Sequence, residues 1–516
     1  MGNIKKYLPL ILIFIITFSV RIFWYCQKDY LFVDDPISFV SATPSTTQNN
    51  ILFKNSWDNY NFIYNYEYNA NELKTLFFAH ENNIKSLYHD LKRLYLSDFD
   101  EGHSNLYYSI LRIWSFNLKN ISLSSLIFYG FTLNLLIFSI SFFLMYKLLQ
   151  LIVTDEKYIY TGLLLAFIST ASISNTLLFR EYQLQELGFI LISYIFTKTY
   201  LWIIKEHNVE ILNNKNIFLY SLALSFFFLT GYYSIIYSLL LLIIILWLMT
   251  KKINFTYQVF YKIGSVVLLS IIFTLIADIH YFSFLPDYTN SILTPFTSLL
   301  LFEKNLYTCF DILQKTMFYH VILFYGLILI LFLKSKDIKN DLMLILSVTS
   351  LLWSIICLLF APYFDIRYYL PAVPVLSLIL LYYIMKFDFK YALILCILYL
   401  FGIIYPNVKF NNFDTIRPFL FYVHDHNNFV FKNPAKIPMI FKDYQHTISS
   451  FVIYSDDNQK ILFVSDIPTK NFKYKEYILF FNKNNIEQYQ EQIRHNNIVS
   501  RGCTKFDDCY VIVDNR

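Results

Sequence analysis

Apolar residues in this chain come in runs about as long as a bilayer core is thick, separated by short polar loops. The runs cover residues 7–25, 123–149, 159–178, 184–204, 217–230, 234–250, 264–277, 318–333, 342–360, 368–385 and 392–405. Each predicts a membrane-crossing helix, about 11 in all. A further run, 106–118, is too short to cross. The first run follows Lys5 and Lys6, and no small-residue cleavage site comes after it. It reads as an uncleaved first span with a cytoplasmic N-terminus. Between the first two long runs lies a polar segment, 28–105. Within it, residues 71–95 place Leu73, Leu76, Phe77, Leu87, Leu91 and Leu94 at roughly helical spacing. That stretch suits equally a helix lying on the membrane surface and a helix packed inside an external loop. Beyond Pro406 the pattern turns polar and mixed. Residues 450–454, 460–465, 476–481 and 509–514 read as short strands and 484–496 as a helix, which together predict a small α/β domain.

Lysines assign the sides. The loops holding Lys147 and Lys157, Lys205 and Lys215, Lys251, Lys252 and Lys262, Lys334, Lys336 and Lys339, and Lys386 and Lys390 all fall on the N-terminal side if the short run does not cross. This is the positive-inside pattern. The segments 28–105 and 278–315 and the tail then lie outside. The expected organisation is a membrane domain, 1–405, with a large external first loop and juxtamembrane helices at 28–105, followed by an external α/β domain, 406–516.

Composition agrees. The chain of 516 residues is 56% hydrophobic and 15% charged, with a mean hydropathy of +0.44; soluble domains are about 25% charged. A soluble enzyme, a disordered chain and a fibrous one are excluded, and so is a β-barrel, whose strands alternate. The 53 Phe and 44 Tyr against 10 Gly match an AT-biased genome, so aromatic richness alone indicates neither sugar stacking nor nucleic-acid binding. The net charge of +5 sits largely in the loop lysines and is a topology signal. Of the six cysteines, Cys503 and Cys509 are close together in the polar tail. A local disulfide is expected there if the tail is outside the cytoplasm.

Four groups of ionisable residues fall on the outer side. Asp34-Asp35 follows the first span; paired carboxylates near an apolar boundary suit a raised-pKa base or a metal ligand, and equally a cap for a helix starting at Pro36. Asp100, Glu101 and His103 precede the short apolar run, where a helix start also explains the polarity. Arg180-Glu181-Tyr182-Gln183 makes a tight turn between two spans, as a functional group or a structural ion pair. Arg367 opens a late span, as a phosphate clamp or an interfacial anchor beside its tyrosines.

The order and sidedness of these groups resemble the GT-C membrane glycosyltransferases, especially the family 39 branch of protein O-mannosyltransferases and aminoarabinose transferases. That branch has an Arg in the first span and an acidic pair opening the first loop, here Arg21 and Asp34-Asp35. Its His-Pro-Pro-Leu-Tyr-Tyr-like motif is similar to His103-Ser104-Asn105-Leu106-Tyr107-Tyr108, without the prolines. Its Gln-Glu-Ala-Arg-like motif is similar to Arg180-Glu181-Tyr182-Gln183, of which the Glu alone is kept. Its late Arg-Tyr-Leu-Leu-Pro segment resembles Arg367-Tyr-Tyr-Leu-Pro371.

The resemblance implies a GT-C-like bundle and a sugar donor linked to a polyprenyl phosphate. It implies inverting transfer to a lipid, glycan or protein acceptor on the outer face. Asp34 or Asp35 would be the base. Asp100, Glu101, His103, Arg180, Glu181 and Arg367 would bind donor or acceptor. A divalent metal, with Asp35 as a ligand, is a family variant; no other cofactor and no nucleic acid is implied. The expected location is a bacterial inner membrane, with the active site on the periplasmic side. Two other classes compete: an inactive family member acting as a scaffold or assembly subunit, favoured by the lost prolines and Arg, and a transporter or flippase, for which Asp278, His280 and the Gly231 break are the candidates.

Overall fold

The computed structural model describes residues 2–28, 31–32, 34–43, 65–96, 104–118, 121–206, 210–252, 257–282, 307, 342–360, 366–386, 437–442, 452–464, 468, 472–482, 496–503 and 508–516. The described residues are mostly helical with one small sheet, and the chain divides into two compact units. The first unit comprises residues 1–28, 102–107 and 131–421; the second comprises 29–101, 108–130 and 422–516. The first loop thus clusters with the tail.

Three described helices are long and apolar enough to cross a membrane: Tyr7–Gln27, Leu123–Ile152 and Tyr257–Ala277. A fourth crossing is possible by length if Glu156–Phe167 and Thr170–Leu177, bent by 53°, count as one span. Shorter apolar helices cover Ser234–Met249, Leu342–Cys357 and Leu370–Tyr382. The expected runs 318–333 and 392–405 lie outside the described residues. Helix Leu106–Trp114 has nine residues, about 14 Å at 1.5 Å per residue, and is too short to cross.

In the first unit the first helix buries one side and leaves the other apolar and exposed. On the first helix Leu8, Ile11, Leu12, Ile15 and Ile16 are exposed, while Leu10 and Ile13 enter the core. Such a stripe belongs against hydrocarbon rather than water. The core centres on aromatic rings: Phe189 packs edge-on against Phe227, Tyr237 and Trp353 at 4.4–5.0 Å between centroids. Gly188 makes this possible, since a Cβ there would lie 2.4 Å from Phe227 Cδ2.

In the second unit the amphipathic stretch 71–95 resolves into two helices, Ala70–Phe78 and Ile84–Leu96. Asparagines start both: Asn69 Oδ1 accepts from Glu72 N at 2.7 Å, and Asn83 Oδ1 from Ser86 N at 2.7 Å. The sheet runs β1 (Glu67–Asn69), β3 (Lys460–Phe463), β2 (Met439–Phe441), β4 (Glu476–Asn482), β6 (Asp508–Asp514), β5 (Ile498–Cys503). β2 lies parallel to β3 and β4; the other pairs are antiparallel. Three expected strands coincide with β3, β4 and β6. Residues 452–454, expected as strand, are helical, with Val452 and Ile453 buried. The expected helix 484–496 lies, but for Asn496, outside the described residues.

β1 comes from the first loop, and Glu67 ties it to the tail through Lys460 Nζ at 2.8 Å, Lys473 Nζ at 3.1 Å and the Tyr474 hydroxyl. Hydrogen bonds from Lys460 and Tyr474 hold the Glu67 carboxyl down to about 2. The β5–β6 register sets Cys503 opposite Cys509, and Cys509 is disulfide-bonded. Mass spectrometry of the purified chain without reductant is expected to return a peptide pair linked through Cys503 and Cys509; free thiols at both would contradict it.

Candidate functional site

The paired aspartates open helix Asp34–Ala42, two residues earlier than expected from Pro36. Acid in a first helical turn meets the positive end of the helix dipole. The two carboxylates differ in place. Asp35 is fully buried: its Oδ2 accepts from Phe32 N at 2.9 Å, while its own N–H donates to Phe32 O at 2.8 Å. Asp35 is therefore the carboxylate that closes the turn. Asp34 is half-exposed. Just ahead of them, Leu31 N donates to the Tyr454 hydroxyl, so the tail braces the start of the acidic turn. Tyr454 carried no sequence signal for this, since its partner lies 423 positions away.

In the first unit, the turn before helix Tyr182–Tyr200 and the late Arg367 come together. Arg180 Nε lies 3.6 Å from Glu181 Oε2, with both side chains buried. Tyr182, also buried, stands edge-on to Tyr368 at 6.3 Å between centroids. The Arg367 guanidinium lies 5.3 Å from the Tyr368 ring centroid, and Tyr182 is within electrostatic reach of Arg367, Glu181 and Arg180. Tyr182 thus has two arginines and a glutamate within electrostatic reach at one end of this helix, and guanidiniums there suit an anion.

The described part of the His103 motif is structural. The Ser104 hydroxyl donates to Leu229 O, and Asn105 N donates to Asp278 Oδ2 at 3.3 Å. Burial pushes the Asp278 carboxyl above the usual range. Tyr107 donates to Asn134 Oδ1 at 3.2 Å, and Asn134 Nδ2 donates to Leu178 O at 2.8 Å, two residues before Arg180. Asp100, Glu101 and His103 lie outside the described residues.

Arg21, buried in the first span, braces the bent helix pair. Its Nη1 donates to Phe167 O at 2.9 Å, a carbonyl freed by the bend, and to Thr17 O at 3.0 Å. Nη2 donates to Ser172 Oγ at 2.7 Å and Nε to Thr176 Oγ1 at 3.0 Å, with the Phe138 ring 3.6 Å away. Ser172 passes the contact to Glu186 Oε1 at 3.2 Å, and Gln183 and Asn175 donate to the same carboxylate at 2.9 Å each. Glu186 was missed as a site residue; a lone acid inside an apolar run was its only signal.

The described residues do not make up a metal site. Asp35 is engaged in its own turn, and no group of three His, Cys, Asp or Glu side chains occurs among the described residues. An apolar cavity of about 360 Å³ lies among the helices of the first unit, lined by residues such as Phe196, Leu224, Leu241 and Val267. Comparison with protein-family models, with curated proteins and with solved structures returns no match.

Proposed function

We propose that this chain is a multi-pass membrane glycosyltransferase that moves a sugar from a polyprenyl-phosphate donor to a hydroxyl-bearing lipid, glycan or protein on the outer face of a bacterial inner membrane. The observation that carries this reading is the Arg180–Glu181 pair at the start of helix Tyr182–Tyr200, with Arg367 within electrostatic reach of Tyr182. The two guanidiniums suit the leaving phosphate, whose charge grows as the sugar departs. The family resemblance, and not the placement of the two units, assigns Asp34, the more accessible acid of its pair, as the base that takes the proton from the acceptor hydroxyl. The acceptor oxygen bonds to the anomeric carbon from the face opposite the phosphate, the sugar–phosphate bond breaks, and the configuration inverts. Asp35 positions the turn that presents Asp34.

The reading includes about 11 crossings, with the lysine loops inside and the tail outside. Reporter fusions after Lys252 and after Asp457 are expected to report opposite sides; the same side for both would defeat this topology. The function is tested by comparing polyprenyl-linked sugars in cells with and without the chain. Accumulation of one donor on deletion would support transfer and name the sugar. Unchanged pools, with no transfer by the purified protein, would defeat it.

A further inference from the structure

Helix Ile84–Leu96 is inverted for a helix packed in water. Its buried stripe is Ser86, Asp90 and Leu94, and Asp90 Oδ2 meets Arg112 Nε at 2.6 Å. Its outer side carries Ile84, 80% exposed, Tyr88, 61% exposed, and Tyr95, 38% exposed. Lys85, His89 and Lys92 are exposed beside them. Asp90 is the helix's one acid and it points inward, so the outer side is cationic as well as apolar. Glu81 precedes the helix and accepts from Asn83 Nδ2 at 2.7 Å. The helix that supplies Arg112 ends on exposed Ile113 and Trp114.

Exposed tyrosine, tryptophan and aliphatic side chains flanked by lysine match the headgroup layer of a bilayer, which is apolar on one side and anionic on the other. The chain keeps this region near a bilayer. Only residues 115–122 separate Trp114 from Leu123, where a 30-residue apolar helix begins; they reach at most about 30 Å.

We propose that helix Ile84–Leu96 is an interfacial anchor lying in the headgroup layer. Ile84, Tyr88 and Tyr95 face the acyl boundary, and Lys85 and Lys92 pair with anionic lipid phosphates. The Asp90–Arg112 pair holds the helix in this orientation.

The test uses the full chain in vesicles of phosphatidylcholine with about a quarter phosphatidylglycerol, its other free thiols replaced by serine. Nitroxide labels are placed through Ile84→Cys or Tyr88→Cys, with Thr75→Cys as an exposed control and Ile15→Cys as a label on the first span. Labels at 84 and 88 should favour oxygen over a water-soluble nickel chelate several-fold more than the label at 75, and the label at 15 more still. Lys85→Glu combined with Lys92→Glu should move the labels at 84 and 88 toward water. Water-like labels at 84 and 88 beside a lipid-like label at 15 would overturn the proposal. So would labels there shielded from both probes, as under a second copy or another protein, or no response to the charge reversal. A water-like label at 15 would instead overturn the membrane reading on which the proposal rests.

Discussion

Asp34→Asn is expected to lower sugar transfer by about 100-fold or more while leaving the protein folded and inserted. The figure corresponds to about 2.7 kcal/mol of lost transition-state stabilisation, the scale of one general base. Two features make this variant informative. Asn caps a helix about as well as Asp, so an effect on capping alone would be nearly silent. Moreover, the cap contact to Phe32 N belongs to Asp35, and Asp34 is the half-exposed member of the pair. The measurement is transfer by purified protein supplied with lipid-linked sugar. Arg367→Ala should instead raise the donor concentration needed, through the lost phosphate contact. Near-normal transfer by Asp34→Asn would defeat the base assignment and move attention to Asp100 and Glu101.

Breaking the Arg112–Asp90 pair should have the largest effect on stability. Both side chains are 0–1% exposed and meet at 2.6 Å. Removing one partner strands a buried charge, a loss of about 3–5 kcal/mol. Arg112→Met is therefore expected to open the packing of helices Ile84–Leu96 and Leu106–Trp114, read as faster hydrogen exchange there. His80 belongs to the same setting: its Nε2 bonds Ser115 O at 3.0 Å, and burial, with Arg112 nearby, pulls its pKa below the usual imidazole value. Arg112→Met combined with Asp90→Leu should recover much of the protection, because a well-packed apolar pair often replaces a buried ion pair without loss. Unchanged exchange in Arg112→Met would contradict the assignment.

The legible features were those with local causes. Hydrophobic runs need only their own residues to mark themselves, so helices such as Tyr7–Gln27, Leu123–Ile152 and Tyr257–Ala277 could be read from hydropathy. Short apolar runs between polar residues marked β3, β4 and β6 in the same way. β1 and β2, of three residues each, are too short to carry a pattern, and the polar, glycine-containing β5 does not alternate. The stretch 71–95 was legible as amphipathic, but the turn at 79–83 depends on Asn83 capping a new helix.

The candidate site divides along the same line. Sequence alone singled out Asp34-Asp35, Arg180-Glu181 and Arg367, because charge beside long apolar runs is costly and so conspicuous. It also determined that the chain is rich in apolar helix and bears a polar tail. Only the tertiary structure decided that Arg180 and Arg367 come within electrostatic reach of Tyr182, that Asp35 rather than Asp34 closes the acidic turn, and that Arg21 serves the bend at Phe167. It also decided that three residues of the first loop complete the sheet of the tail. Hydropathy is a property of neighbours along the chain, whereas the partner of a buried polar group is chosen in three dimensions: Arg21 and its acceptor Phe167 O are 146 positions apart, and no local pattern encodes that distance.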